Sequence, residues 1–424
     1  MTSVVWLRFQ RWIDWVLVSV ALLIVLSGSQ PVLRDERYRL SVLVSSDVFD
    51  FVWWEVQALG VKLEALLTGG YLYLDEAQQR EIVLQFLSLV GEVRELDAQM
   101  AAVFADPETA DPDVATADLQ AELAEKRAEM ATLQPLAEAI LQQQVATVLA
   151  EEGLAVGGIT WPPVMMHMTP LPSILIVSPR ERIDRLYGIP LRHGMSVAEK
   201  DALETAVLQQ LNRAALVVPI GGLGIYPAMV LESSNINWLA DTIAHEWAHH
   251  WLTLHPVGLY YNQTPEMRTI NETTASIVGT EIGRQVIARY YPEHLPAPPA
   301  ATSPPPTQSP QPSTFDFRAE MAQTRITVDR LLSEGQIVAA EFYMEARRRY
   351  FVANGYNIRK LNQAYFAFYG SYADEPGASG SDPVGPAVLQ LRAQSPSLKA
   401  FLETIATITS FQELQQHLNQ PNQP

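Results

Sequence analysis

The chain contains no cysteine, so disulfides and thiolate ligands are excluded and any metal must be held by nitrogen and oxygen. That absence fits either redox compartment. Positive charge is also scarce: 29 Lys and Arg against 47 Asp and Glu leave a formal −18, which argues against a nucleic-acid partner. A phosphate cradle is missing too, because Gly221-Gly222-Leu223-Gly224 has neither the GxGxxG spacing nor a GK[ST] ending. Long apolar runs are confined to one segment near the N-terminus, residues 15–26, with none beside the histidine-rich stretch described next, which argues against a site inside lipid. What remains is a 48% apolar composition over 424 residues, ample for a sizeable core.

The informative stretch is DTIAHEWAHHWLTLHP, which contains His245-Glu246-Trp247-Ala248-His249. Trp238, Leu239, Ile243, Trp247 and Trp251 recur at helical spacing, the segment 232–235 offers helix caps, and Pro256 and Gly258 close the run. The motif is therefore predicted to lie on a helix. Residues four apart on a helix share a face, so both imidazoles can aim at one ion. Glu246 then stands where it can take a proton from an attacking water.

Two histidines do not complete such a site: catalytic zinc takes three protein ligands and keeps a fourth position for water. Glu272, in Asn271-Glu272-Thr273-Thr274-Ala275, lies 23 residues beyond His249. That interval lets one helix end, a loop reverse direction, and a second helix lie beside the first. Ala275, Ser276, Gly279 and Gly283 recur three or four apart, which would let the two helices approach closely. The same glutamate also completes a capping box, Thr269-Ile270-Asn271-Glu272, and would then only close a helix N-terminus. His255 competes as third ligand, but that geometry needs a sharp turn after His249, where the chain has Leu252 instead of glycine. His250 faces a different direction from His249, and Glu281 reads as solvated or as a partner of Arg284.

Together the two motifs resemble those of the gluzincin metallopeptidases, the broad group that includes thermolysin-like and membrane-bound HExxH enzymes. The resemblance covers about residues 215–290. It implies Zn2+ held by His245, His249 and Glu272, with Glu246 as general base. Members of that group often carry an aspartate four residues after the glutamate ligand, fixing one histidine; this chain has Ser276 there.

Residues 214–220 and 225–231 read as short strands around the glycine turn. A strand beside the motif helix could pair with an extended substrate, and a plain hairpin explains the glycines equally well. The donor for a tetrahedral oxyanion is not identified by sequence. Tyr260 and Tyr261 follow the motif helix, and Tyr365, Phe366, Phe368, Tyr369 and Tyr372 form an aromatic cluster whose spacing also suits a core. His167 and His417 are weaker candidates.

The predicted class is α+β, mainly helical, with a zinc-peptidase core and a small sheet. Residues 1–30 form a signal-anchor or a signal peptide cut near Ser29, residues 31–150 a helical stalk or lid, and residues 151–294 the zinc-binding core. A proline-rich loop at 295–313 and a helical region at 314–424 complete it. Helices are expected over 47–67, 75–104, 119–149 and 197–211, with Pro135 bending or dividing the third. Two helices joined near Gly335 are expected over 317–355, and one or two over 397–418. Glu341, Glu345 and Arg347 to Arg349 either border a cleft or form a solvated face. Arg8 and Arg11 place the start in the cytoplasm and the catalytic region outside, although Arg34, Arg37 and Arg39 follow the span closely. The expected function is hydrolysis of peptide or protein substrates by a membrane-associated, single-pass metallopeptidase, secreted if the segment is cleaved. The other readings are a zinc-binding membrane protein without hydrolysis and a helical adaptor with an accidental HExxH. Glu246 argues against the first of these, since a structural site needs no base.

Overall fold

A computed structural model describes Trp15 and residues 35–106, 108–296, 315–372 and 377–419. The chain begins with α1 (Glu36–Val44), α2 (Phe51–Thr68) and α3 (Glu76–Ala105), the last started by an Asp75/Gln78 capping box. The one-turn α4 (Pro112–Ala115) leads into α5 (Ala117–Glu151), which Pro135 does not divide. A hairpin of β1 (Ala155–Val156) and β2 (Ile159–Thr160) precedes β3 (Met166–Met168), β4 (Ser173–Ser178) and β5 (Tyr187–Leu191). Next come α6 (Val197–Leu211), β6 (Ala214–Val218), β7 (Gly222–Leu223) and β8 (Ala228–Val230). The motif helix α7 (Ile236–Thr253), the short α8 (Pro256–Leu259) and the long α9 (Pro265–Tyr290) follow. The remainder is α10 (Phe317–Ser333), α11 (Ile337–Ala353), α12 (Gln363–Tyr369), α13 (Val384–Gln394), α14 (Leu398–Ile405) and α15 (Phe411–Asn419). Helices predominate and the sheets are small, as the sequence predicts.

Strand β4 is central in the antiparallel sheet β5-β4-β6. Its alternation separates two faces. Leu175 and Val177 pack under α1 and α6, whereas Ile176 packs against Ala364, Ala367 and Phe368 of α12. In the second sheet β8 pairs in parallel with β3 and antiparallel with β7, leaving β7 at the edge. Helices α3, α5, α7, α9, α13 and α14 share one apolar core, in which Phe86, Ile140, Trp247, Val278 and Phe401 are buried. The sequence suggested close helix contact through small residues, and this is found. A Cβ on Gly279 would lie 2.4 Å from Asp241 Oδ1 and one on Gly283 2.7 Å from the Asp241 backbone nitrogen, so α9 touches α7 backbone to backbone.

Helix α2 exposes an apolar stripe of Val52, Trp53, Val56, Leu59 and Leu63. No helix among the described residues is long and apolar enough to cross a membrane. The predicted span at 15–26 and the proline-rich loop fall almost entirely outside the described residues.

Candidate metal centre

Helix α7 starts where Asn235 accepts the Trp238 N–H at 3.2 Å, and Pro256 bars its continuation. Trp247 anchors its far side, buried, with Nε1 donating to the Pro162 carbonyl at 2.8 Å. His245 and His249 thereby face α9. That helix begins at Pro265, where Thr264 accepts the Met267 N–H at 3.2 Å. Glu272 therefore lies two turns inside α9 and is buried, which overturns the capping-box reading. Its position is set by helix packing rather than by a helix end.

The three side chains converge. His245 Nε2 and His249 Nε2 are 3.1 Å apart, and Glu272 Oε2 is 3.3 Å from His249 Nε2 and 3.8 Å from His245 Nε2. With zinc–ligand bonds of about 2.0–2.2 Å, atoms at tetrahedral angles stand about 3.3–3.6 Å apart, close to these separations. Glu272 Oε2 is buried and makes no hydrogen bond; its proximity to the imidazoles is an ion pair by distance alone. An orphaned carboxylate oxygen aimed at two imidazole nitrogens suits a divalent ion better than it suits a hydrogen-bonded network.

Neighbouring groups hold the triad in place. His249 Nδ1 lies 2.9 Å from Asn271 Oδ1, which directs the other ring nitrogen toward the centre. The acceptor thus comes from the residue before the glutamate, not from position 276. Tyr261 donates its hydroxyl to Glu272 Oε1 in a short hydrogen bond, and Arg185 Nη2 donates to the same phenol oxygen at 3.1 Å. Tyr261 is thereby committed to orienting Glu272.

Edge strand β7 passes directly over Glu246. A Cβ on Gly222 would fall 2.0 Å from Glu246 Oε1, and one on Gly224 would fall 2.9 Å from His249 Cβ. Only glycine permits this approach. Triad, Glu246 and β7 line one cleft of about 860 Å³, which Tyr372 also reaches, its ring stacked on His245 at 6.4 Å.

In the chain alone the charges distribute unevenly. Burial raises Glu246 to about 8 and lowers His245 to about 3. Burial opposes the charged form of His249 as well, but the Glu272 carboxylate outweighs it and lifts His249 to about 9. Burial likewise opposes the Glu272 anion, and His249 overcomes it, holding Glu272 at about 2. A dication at the triad would require only His249 to lose its proton, because imidazole binds metal in its neutral form and Glu272 is already anionic.

Other residues singled out in the sequence lie elsewhere. His255 caps α8 and stacks on Trp251 at 3.9 Å, with Nδ1 2.8 Å from the Trp251 carbonyl, away from the triad. His250 is buried on another face, its Nε2 2.5 Å from the Ile225 carbonyl. Glu281 pairs with Arg392 rather than Arg284. His167 contacts Glu138 at 3.1 Å, and His417 is exposed on α15. Tyr260 packs against the main core, while Tyr365 and Tyr369 pack behind the β4 sheet. Glu341, Glu345 and Arg347 to Arg349 form ion pairs away from the cleft. Arg185, Arg268 and Asn271 were not anticipated, although Arg268 stands one turn before Glu272 on the same helix face. Comparison with protein-family models, with curated proteins and with solved structures gives no match to this chain.

Proposed function

We propose that the chain is a zinc-dependent peptidase that hydrolyses peptide bonds in the cleft between β7 and the α7–α9 pair. The observation that carries this reading is the convergence of His245, His249 and Glu272 with a buried glutamate, Glu246, beside them under a glycine strand. A divalent ion held by these three ligands would supply Lewis acidity. The protein's own part is proton handling and positioning. Glu246 accepts a proton from the water whose oxygen bonds to the scissile carbonyl carbon. The carbon–nitrogen bond then breaks, and Glu246 returns the proton to the leaving amine. Tyr372 would donate to the oxyanion in this reading, because it lines the cleft beside His245 and Tyr261 is taken up by Glu272.

Metal content and hydrolysis test the two halves of the reading. About one zinc per chain is expected for the native protein and for His255→Ala, and far less for Glu272→Ala, by elemental analysis. Glu246→Gln should keep the metal and lose hydrolysis about 10²–10⁴-fold. Little zinc in the native chain, or peptide cleavage undiminished in Glu246→Gln, would overturn the proposal.

We further propose membrane attachment through the N-terminal segment, with the catalytic region outside the cytoplasm. The exposed apolar stripe of α2, which follows that segment in the chain, supports a place against lipid. Chain lacking residues 1–30 should remain folded and bind metal but lose most of its cosedimentation with phospholipid vesicles.

A further inference from the structure

The cleft carries more positive charge than the triad explains. Its only carboxylates among the described residues are Glu246 and Glu272, both assigned above, whereas Arg185 and Arg268 also line it. The two guanidinium carbons lie 5.4 Å and 5.9 Å from the ring centroid of the same residue, Tyr261. Arg185 has a hydrogen bond to the Tyr261 hydroxyl. Arg268 is 4% exposed, forms no ion pair among the described residues, and its Nε has no hydrogen-bond partner. Asp184, the other carboxylate acting on Arg268, is engaged by Arg182 at 3.4 Å. Burial and the neighbouring Arg185 lower Arg268 to about 10, so it stays charged at neutral pH. A buried guanidinium without a counter-ion is costly, and such a group inside a cleft marks the place of an anion that arrives with the ligand.

We propose that Arg268 and Arg185 form an anion subsite that takes a carboxylate of the peptide substrate. This rests on the peptidase reading for the word substrate, but the subsite itself is a binding site and is testable without turnover. Position narrows the chemistry. Arg268 and Glu272 are four apart on α9, so their Cβ atoms are about 5–6 Å apart. An extended peptide advances about 3.3–3.6 Å per residue, which puts the bound carboxylate within about one or two residues of the bond to be cut. The carboxylate has two possible sources, a free C-terminus or an Asp or Glu side chain. Guanidinium groups meet either one with paired N–H donors.

Three matched probes distinguish these: N-acetyl-tetraalanine with a free C-terminus, its C-terminal amide, and an amide with one internal glutamate. Their affinities for the full chain with Zn2+ present are measured by calorimetry, beside Arg268→Gln and the conservative Arg268→Lys. The free acid is expected to bind about tenfold or more tightly than the amide if the C-terminus is recognised; the internal glutamate recovers the affinity if a side chain is. Arg268→Gln should abolish that preference, and Arg268→Lys should keep part of it. Equal affinity for all three probes, no binding of any, or a preference unchanged in Arg268→Gln would overturn the subsite. Carboxylate-dependent binding without cleavage of any probe supports the subsite while counting against the peptidase; cleavage of acid and amide at equal rates, with equal affinities, does the reverse.

Discussion

The backbone of Gly222 lies so close to Glu246 that a Cβ there would come within 2.0 Å of the Glu246 carboxylate oxygen. The strand and the proposed base are therefore fitted to each other, and the least flexible partner, the backbone, does not yield. Gly222→Ala should push the carboxylate aside and lower the peptide-cleavage rate about 10²-fold, the usual result of a misplacement of about 1 Å. Zinc content should not change, because the three atoms nearest that Cβ all belong to Glu246, which is not a proposed ligand. Loss of metal in the same variant would mean that β7 supports the triad rather than the base.

The Tyr261 hydroxyl reaches Glu272 Oε1 while Oε2 faces the histidines. One carboxylate oxygen is thus fixed by the phenol and the other is left for the ion. Tyr261→Phe should weaken zinc binding about 10–100-fold, as loss of an outer-shell partner does elsewhere. A competition titration against a chelator measures it. Unchanged affinity would show that the bond is incidental.

How much of this was legible depended on distance along the chain. His245, Glu246 and His249 sit within five residues, and helical geometry alone brings them together. Glu272 was readable because the 23 residues after His249 leave room for a helix end, a reversal and a second helix, and Gly279 and Gly283, four apart on one face, let that helix lie close to the first. The capping-box alternative failed because Thr264 and Pro265 start the helix earlier than the Thr269 pattern suggested. Ion pairs such as Glu281 with Arg392, 111 residues apart, depend on tertiary packing and leave no local signature. Arg185 belongs to the same class, since it enters from the loop before β5. Strands β6 and β8 are shorter than the expected segments 214–220 and 225–231, and β7 forms within the expected glycine turn, because pairing partners elsewhere in the fold decide which residues join a sheet.

Tyr372 stacks over His245 at 6.4 Å, half-buried in the cleft, and desolvation raises its hydroxyl well above the usual phenol range. It stays a neutral donor throughout the neutral pH range. Tyr372→Phe should therefore reduce kcat about 10²–10³-fold with little change in KM, the pattern expected when a group acts on the transition state alone. Steady-state kinetics on a peptide substrate gives the two constants separately. A rise in KM at constant kcat would assign Tyr372 to substrate binding instead.

Far from the cleft, Glu138 on α5 is fully buried and forms an ion pair with Lys62 of α2. His167 Nδ1 lies 3.1 Å away, and the Met168 N–H donates to the same carboxylate at 2.7 Å. Burial alone would raise its affinity for the proton, but the Lys62 charge and the His167 contact prevail and hold it at about 2, below an ordinary 4.5. Because the folded value lies below the unfolded one, the stabilisation is present above pH 4.5 and disappears as pH falls toward 2. A shift of that size amounts to on the order of 3 kcal/mol. Glu138→Gln should cost about 3–5 kcal/mol at neutral pH, since Lys62 is left buried without its partner. Urea unfolding across an acid series checks this: the native chain and the variant should differ most at neutral pH and converge as the carboxylate protonates. A gap that stays constant down to the acid limit would show that the pair contributes through packing and not through charge.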